Sequence, residues 1–273
     1  MQAPDVTVPA AGPHFERYVA LGDSSTEGLE DPDGNGGYRG WANRLAERIA
    51  ATQSSLLYAN LGIRGRRTRQ ILDQQLAPAL AMRPDLATLF TGTNDVVAAR
   101  FDAVAIEADI DRMQRALVQI GATVLTFTLP DLTPVMPLAR RLAPRIDALN
   151  AALHRVSARN GVRVVDFAAD PLATDARLWS DDRLHANSAG HQRIAAALAE
   201  ALALPGGDAS WRAPLPHRAP LTRSQRIAIE GLWIRRHLLP WFWRHLRGRS
   251  SGDALTPKRP NLLPVEMNTP AVP

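Results

Sequence analysis

Between Tyr18 and about Leu204, five short apolar runs alternate with longer segments of helical period, and few folds accommodate that order. The runs fall at 17–22, 55–61, 85–91, 122–129 and 162–167. Each has strand length and is nearly continuous in apolar residues, as strands buried on both faces are. Helical patterns lie at about 38–52, 67–82, 102–120, 139–160 and 188–204. Leu142, Ile146, Leu149, Leu153 and Val156 carry the period along one helix face. Strands joined through helices form βαβ units, so the chain is expected to be α/β, with five parallel strands covered on both faces.

Pro205-Gly206-Gly207 closes the regular part. The chain then divides into a lead-in over 1–16, a main domain over 17–205 and an extension over 206–273. The extension holds eleven Lys and Arg against four Asp and Glu, a net +7, whereas the residues before it sum to −2. The high pI, near 10.5, therefore belongs to the extension. An amphipathic helix is expected at about 222–247, where Arg226, Arg235, Arg236, Arg244 and Arg247 accompany Ile227, Leu232, Trp233, Trp241, Phe242 and Trp243. Arginine beside tryptophan suits an anionic membrane surface; the plainer reading packs the aromatic face on the main domain. A partner protein is the third reading, and no nucleic acid is expected. The proline-rich last twenty residues read as extended or disordered.

With no cysteine, disulfides and thiolate metal sites are excluded. The first 17 residues show neither a basic start nor an apolar core, and no run approaches the roughly 18 apolar residues of a membrane span. The expected location is cytoplasmic, with the 222–247 helix allowing peripheral contact at the inner membrane face.

In a parallel sheet, sites form at the carboxyl ends of strands. Four clusters of small or polar residues sit at such ends. Gly22-Asp23-Ser24 follows the first strand, Asn60 to Gly65 the second, and Gly92-Thr93-Asn94-Asp95 the third. Asp182-Arg183-Leu184-His185 comes after the fifth, just before the last helix. Serine early with aspartate and histidine late is a chain order that closes into a catalytic triad. Ser24 is the candidate nucleophile, His185 the base that takes its proton, and Asp182 the group that fixes the histidine tautomer. Ser25 is the rival nucleophile and Asp181 the rival orienter, each one residue out of register. Asp95 reads as a helix N-cap, His191 as structural and Gly62 as a turn glycine.

Together the four clusters resemble the SGNH, or GDSL, hydrolase superfamily over about residues 17–204. Gly22 to Gly28 looks like the nucleophile block, and Gly65 falls where the second-block glycine sits, five residues after Asn60. Gly92-Thr93-Asn94-Asp95 is similar to the third block. Asp182 to His191 is similar to the last, with Ala186 where proline is usual. The resemblance implies a three-layer α/β/α sandwich of flavodoxin-like type and cleavage of small-molecule carboxylic esters through an acyl-enzyme. It further implies an oxyanion hole built from the Ser24 N–H, the Gly65 N–H and the Asn94 amide, with no metal and no other cofactor. A thioesterase or acyltransferase on the same Ser-His-Asp site is the alternative. A membrane- or partner-binding module with an unused site is a third reading.

One pattern misleads, and two other motifs are absent. Asp31-Pro32-Asp33-Gly34-Asn35-Gly36 mimics half a calcium loop, but the twelfth position is Ala42, so it reads as a flexible acidic loop. Thr26 breaks a Gly-x-Ser-x-Gly elbow around Ser24, and no Gly-Lys-Ser/Thr phosphate loop exists.

Overall fold

A computed structural model describes residues 12–53, 55–217, 222–238, 240, 252 and 254–265. The five expected strands are β1 (Arg17–Gly22), β2 (Leu57–Asn60), β3 (Leu86–Phe90), β4 (Thr123–Phe127) and β5 (Arg163–Val165). All pair in parallel, in the spatial order β5-β4-β3-β1-β2. That is the flavodoxin-like order, which reverses direction at β1 and β3.

Two single turns, α1 (Ser24–Glu27) and α4 (Thr93–Val96), directly follow β1 and β3. The long helices are α2 (Gly40–Gln53), α3 (Thr68–Ala81), α5 (Ala103–Gln119), α6 (Ala143–Asn160) and α7 (Ser188–Ala201). Local signals start two of them. Asp102 accepts from the Ala105 N–H to cap α5, and Asn187 accepts from the Ala189 and Gly190 N–H groups to cap α7. Alternation along β1 divides the core. Tyr18 and Ala20 join one apolar cluster with α2 and α7, while Val19 and Leu21 join another with α3 and α5.

The sheet has a sixth strand, β6 (Arg259–Pro264), antiparallel to β2. The expectation of a purely parallel five-stranded sheet is corrected to a mixed six-stranded one, and part of the proline-rich tail is ordered. Proline cannot donate to a ladder, so it is tolerated at the edge of a sheet, where β6 lies. Lys258 fastens this end by donating to the carbonyls of Tyr38 and Arg39 at 2.7 and 2.8 Å.

The extension also supplies Trp211, which is buried in the core beside α7. The helix expected at 222–247 begins as α8 (Arg223–Trp233), and a π-helical turn spans Ile234–Leu238. Trp233 is buried, whereas Ile227, Ile229, Leu232 and Ile234 are exposed. Trp241, Phe242, Trp243, Arg244 and Arg247 lie outside the described residues, as do residues 1–11. Among the described residues no helix is long and apolar enough to cross a membrane.

Candidate active site

β1 ends in a turn that only glycine can enter. A Cβ at Gly22 would lie 2.1 Å from the Thr26 Oγ1 and 2.5 Å from the Phe90 carbonyl oxygen. The Gln75 side chain clamps this glycine, accepting from its N–H at 2.8 Å and donating to its carbonyl at 2.9 Å. Asp23 then caps α1 through the Ser25 N–H at 3.0 Å. Ser24 is thereby the first residue of α1, where backbone amides have no acceptor within the helix.

The Asp182–His185 loop reaches this serine across the top of the sheet. His185 Nε2 lies 2.8 Å from Ser24 Oγ, and His185 Nδ1 lies 2.6 Å from Asp182 Oδ2. Asp182 Oδ1 accepts from the Ser180 hydroxyl at 2.5 Å and from the Leu184 and His185 N–H groups at 2.9 and 3.0 Å. With Oδ1 so occupied, Oδ2 is aimed at the imidazole. An antiparallel bridge between Trp179 and Ala186 closes the base of the loop.

The charges are tuned to one another. Burial alone would raise the Asp182 carboxyl, but the hydrogen bond and charge of His185 outweigh it and hold the group well below the usual carboxylate range. Burial would lower His185, yet the Asp182 contact outweighs it and raises the imidazole above its ordinary 6.5. Asp23, sealed from solvent, is pushed up to about 7 by desolvation.

Neither rival enters this chain of contacts. Ser25 Oγ accepts from the Trp41 indole at 3.2 Å, and Asp181 is exposed. His191 is buried; its Nδ1 accepts from the Trp41 N–H at 3.1 Å and its Nε2–H donates to the Leu29 carbonyl at 2.8 Å. Desolvation lowers this histidine to about 4, which keeps it neutral. It ties α7 to α2, a structural task.

The other two expected donors, Gly65 and Asn94, lie in loops that a hydrogen bond joins. Gly65 turns at φ +76, a left-handed conformation natural to glycine. Its loop is held from one side by Glu27, which accepts from the Arg64 N–H at 2.8 Å, and from the other by Asn94, which donates to the Arg66 carbonyl at 3.0 Å. Asn94 also donates to Asp23 Oδ2 at 3.2 Å. Asp95 does not cap its own helix: its carboxylate accepts from the N–H and hydroxyl of Thr68, at the start of α3. Asn60 donates to the Thr26 carbonyl and accepts from the Gly62 N–H, binding the second cluster to the first.

The acidic loop is less free than its composition suggested. Asp31 is buried and accepts from the Gly40 N–H and the Arg44 guanidinium. No group of three or more His, Cys, Asp or Glu among the described residues is arranged to hold a metal.

Beside Ser24 and His185 opens a cavity of about 90 Å³, walled largely by Phe90, Phe127, Leu129, Phe167, Trp179 and Trp211. The rings form a connected set. Phe90 stacks on Phe127 with centroids 4.0 Å apart; Phe167 meets Phe127 edge-on at 5.5 Å and Trp211 at 5.6 Å.

Residues 20–193 match the model of the GDSL-like lipase/acylhydrolase family. The chain belongs to this family. It is accordingly an enzyme that hydrolyses ester bonds, and small-molecule esters are its substrates. Solved structures share the fold. An α/β hydrolase enzyme from the metagenome of Lake Arreo, Spain, is 24% identical, with 69% of this chain and 95% of that one covered at a TM-score of 0.59. The lipase/acylhydrolase from Enterococcus faecalis is 21% identical, covering 67% and 93% at 0.56. A catalytic mutant of an acetylxylan esterase from Geobacillus stearothermophilus is 18% identical, covering 71% and 97% at 0.60. No curated protein matches the chain by sequence.

Several supporting residues had no sequence signal strong enough to find them. Ser180, two positions before Asp182, is the most legible, since serine often hydrogen-bonds across such a spacing. Gln75 sits mid-helix in α3 and reads as any amphipathic-helix residue. Its role exists only once α3 packs beneath β1.

Proposed function

We propose that the protein cleaves carboxylic esters by nucleophilic catalysis, with Ser24 as nucleophile, His185 as general base and acid, and Asp182 as the group that orients the imidazole. The observation that carries this reading is the unbroken path of short contacts, 2.6 Å from Asp182 to His185 and 2.8 Å from His185 to Ser24. His185 takes the Ser24 proton as Oγ attacks the carbonyl carbon, and Asp182 stabilises the imidazolium that results. The tetrahedral intermediate collapses as His185 returns that proton to the leaving alkoxide. Water, activated by the same histidine, then releases the acid and regenerates Ser24.

Negative charge on the carbonyl oxygen is met by the Ser24 N–H, the Gly65 N–H and the Asn94 side chain. Of the two bonds that the Asn94 amide donates, the one to Asp23 Oδ2 is the longer, and it is the one for which an oxyanion would compete. Donors of this kind each contribute on the order of 10²–10³ in turnover. The aromatic cavity receives an apolar acyl or alkoxyl group, since its walls offer few polar partners.

Partitioning tests the covalent step. Esters of one acid with different leaving alcohols pass through one acyl-enzyme, so in aqueous methanol they should give a single ratio of methyl ester to free acid. Ratios that change with the leaving group mean that water attacks the substrate directly, without an acyl-serine.

A further inference from the structure

The family match ends at residue 193, yet a helix well beyond it touches the loop between Asp182 and His185. The Trp233 indole N–H, at the end of α8, donates to the Asp182 backbone carbonyl at 3.2 Å. Trp233 is the buried member among the described side chains of α8. One turn earlier, Glu230 receives Arg183 as a bidentate pair, with bonds of 2.9 and 2.7 Å. The Arg183 guanidinium also lies over the Trp233 ring, 4.7 Å from its centroid. Two neighbouring residues of the loop are thus gripped by two residues of one helix.

The loop has reason to need a grip. Arg183 adopts φ +61, a left-handed conformation that a side-chain-bearing residue holds only when its surroundings impose it. It stands between Asp182 and His185, so relaxing its backbone would swing the carboxylate against the imidazole. A typical surface ion pair would do little to prevent this. Here the arginine side chain is only 12% exposed, it binds through both nitrogens, and it is sandwiched against the indole.

We propose that α8 is a latch for the catalytic loop, with Trp233 and Glu230 as positioning residues that act through the Asp182 carbonyl and Arg183. The proposal rests on the Ser24–His185–Asp182 reading. It gives the C-terminal extension a task in catalysis beyond adding charge.

Trp233→Phe keeps a ring under Arg183 but removes the N–H; Trp233→Ala removes both. Neither alters any charge. Steady-state hydrolysis of p-nitrophenyl butyrate is measured across pH, alongside thermal unfolding and a Ser24→Ala control. The latch predicts a fall in kcat of about 10-fold for Trp233→Ala and a smaller one for Trp233→Phe, with KM within about 2-fold, because loosened alignment acts on the chemical step. The acid limb of kcat/KM should move to lower pH in both. The groups whose charges act on His185 are Asp182, Asp23, Glu30 and the neighbouring His191. Only the Asp182 contact is loosened, and it is the one that raises the imidazole most. A purely structural role would lower the amount of folded enzyme and leave the limb in place. The proposal is overturned if both variants, or Trp233→Phe alone where Trp233→Ala does not fold, keep wild-type kcat and an unmoved limb. Activity surviving in Ser24→Ala would instead overturn the reading of the site itself.

Discussion

Replacing Ser24 by alanine should lower kcat for a p-nitrophenyl ester by at least about 10⁴-fold while the protein stays folded. Ser24 is 9% exposed and makes one side-chain contact of consequence, with His185, so its hydroxyl does little for packing. The first turn of α1 is capped by Asp23 and survives the change. What disappears is the oxygen proposed to attack. The small residual rate comes from the oxyanion donors and from binding, which do not need the hydroxyl. Circular dichroism and the melting temperature separate this from unfolding. If the three residues act as one unit, as proposed, Ser24→Ala combined with His185→Ala should be scarcely slower than Ser24→Ala alone. A loss below about 10-fold would remove Ser24 from the reaction.

Asp182→Asn should cost on the order of 10⁴-fold in kcat by a different route. Asparagine retains an oxygen where Oδ1 accepts from Ser180, Leu184 and His185, so the loop keeps its internal bonds. At the Oδ2 position it offers an N–H₂ group, which donates to His185 Nδ1. The imidazole must then carry its proton on Nε2 and donate to Ser24 Oγ, and a donor there cannot take the serine proton. The raised basicity of His185 is lost as well, since Asp182 is what offsets burial. In the native enzyme kcat/KM should fall as pH drops through a value above 6.5, because only neutral His185 acts as the base. In Asp182→Asn the residual activity should have its acid limb at lower pH. The tautomer is read directly from the ring nitrogens by NMR. A variant with near-native kcat would leave the carboxylate with no orienting task.

The parallel sheet was legible because its strands are apolar on both faces and the first three are each followed directly by a cluster of small and polar residues. Val19 and Leu21 face one core layer while Tyr18 and Ala20 face the other, so β1 carries no polar alternation to obscure it. β6 carried the opposite signal. Its residues are half or fully exposed, two of six are proline, and its pairing with β2 joins positions about two hundred residues apart. Nothing local distinguishes such a strand from an extended tail.

The site divides in the same way. Ser24, Gly65, Asn94, Asp182 and His185, the residues proposed for the site, stood out because they lie within recognisable clusters. The residues that hold them could not. Gln75 against Gly22, Asp95 against Thr68 and Trp233 against Asp182 are contacts between distant segments, created by packing. Trp233 was legible only as one aromatic of an amphipathic pattern, and which ring would be buried depended on where α8 docks. The anchoring of Asp31 in the acidic loop was hidden for a related reason, because its partner Arg44 lies a full helix turn into α2.

The central claim is that one hydroxyl, on Ser24, becomes acylated. A p-nitrophenyl alkylphosphonate tests it directly, since the attacking group displaces p-nitrophenolate and keeps the phosphonyl group. Intact mass followed by peptide mapping should find one phosphonyl per chain, on Ser24, formed in step with loss of activity and absent from the Ser24→Ala variant. Inactivation with the label on Ser25 or elsewhere, or with no label at all, would contradict the account.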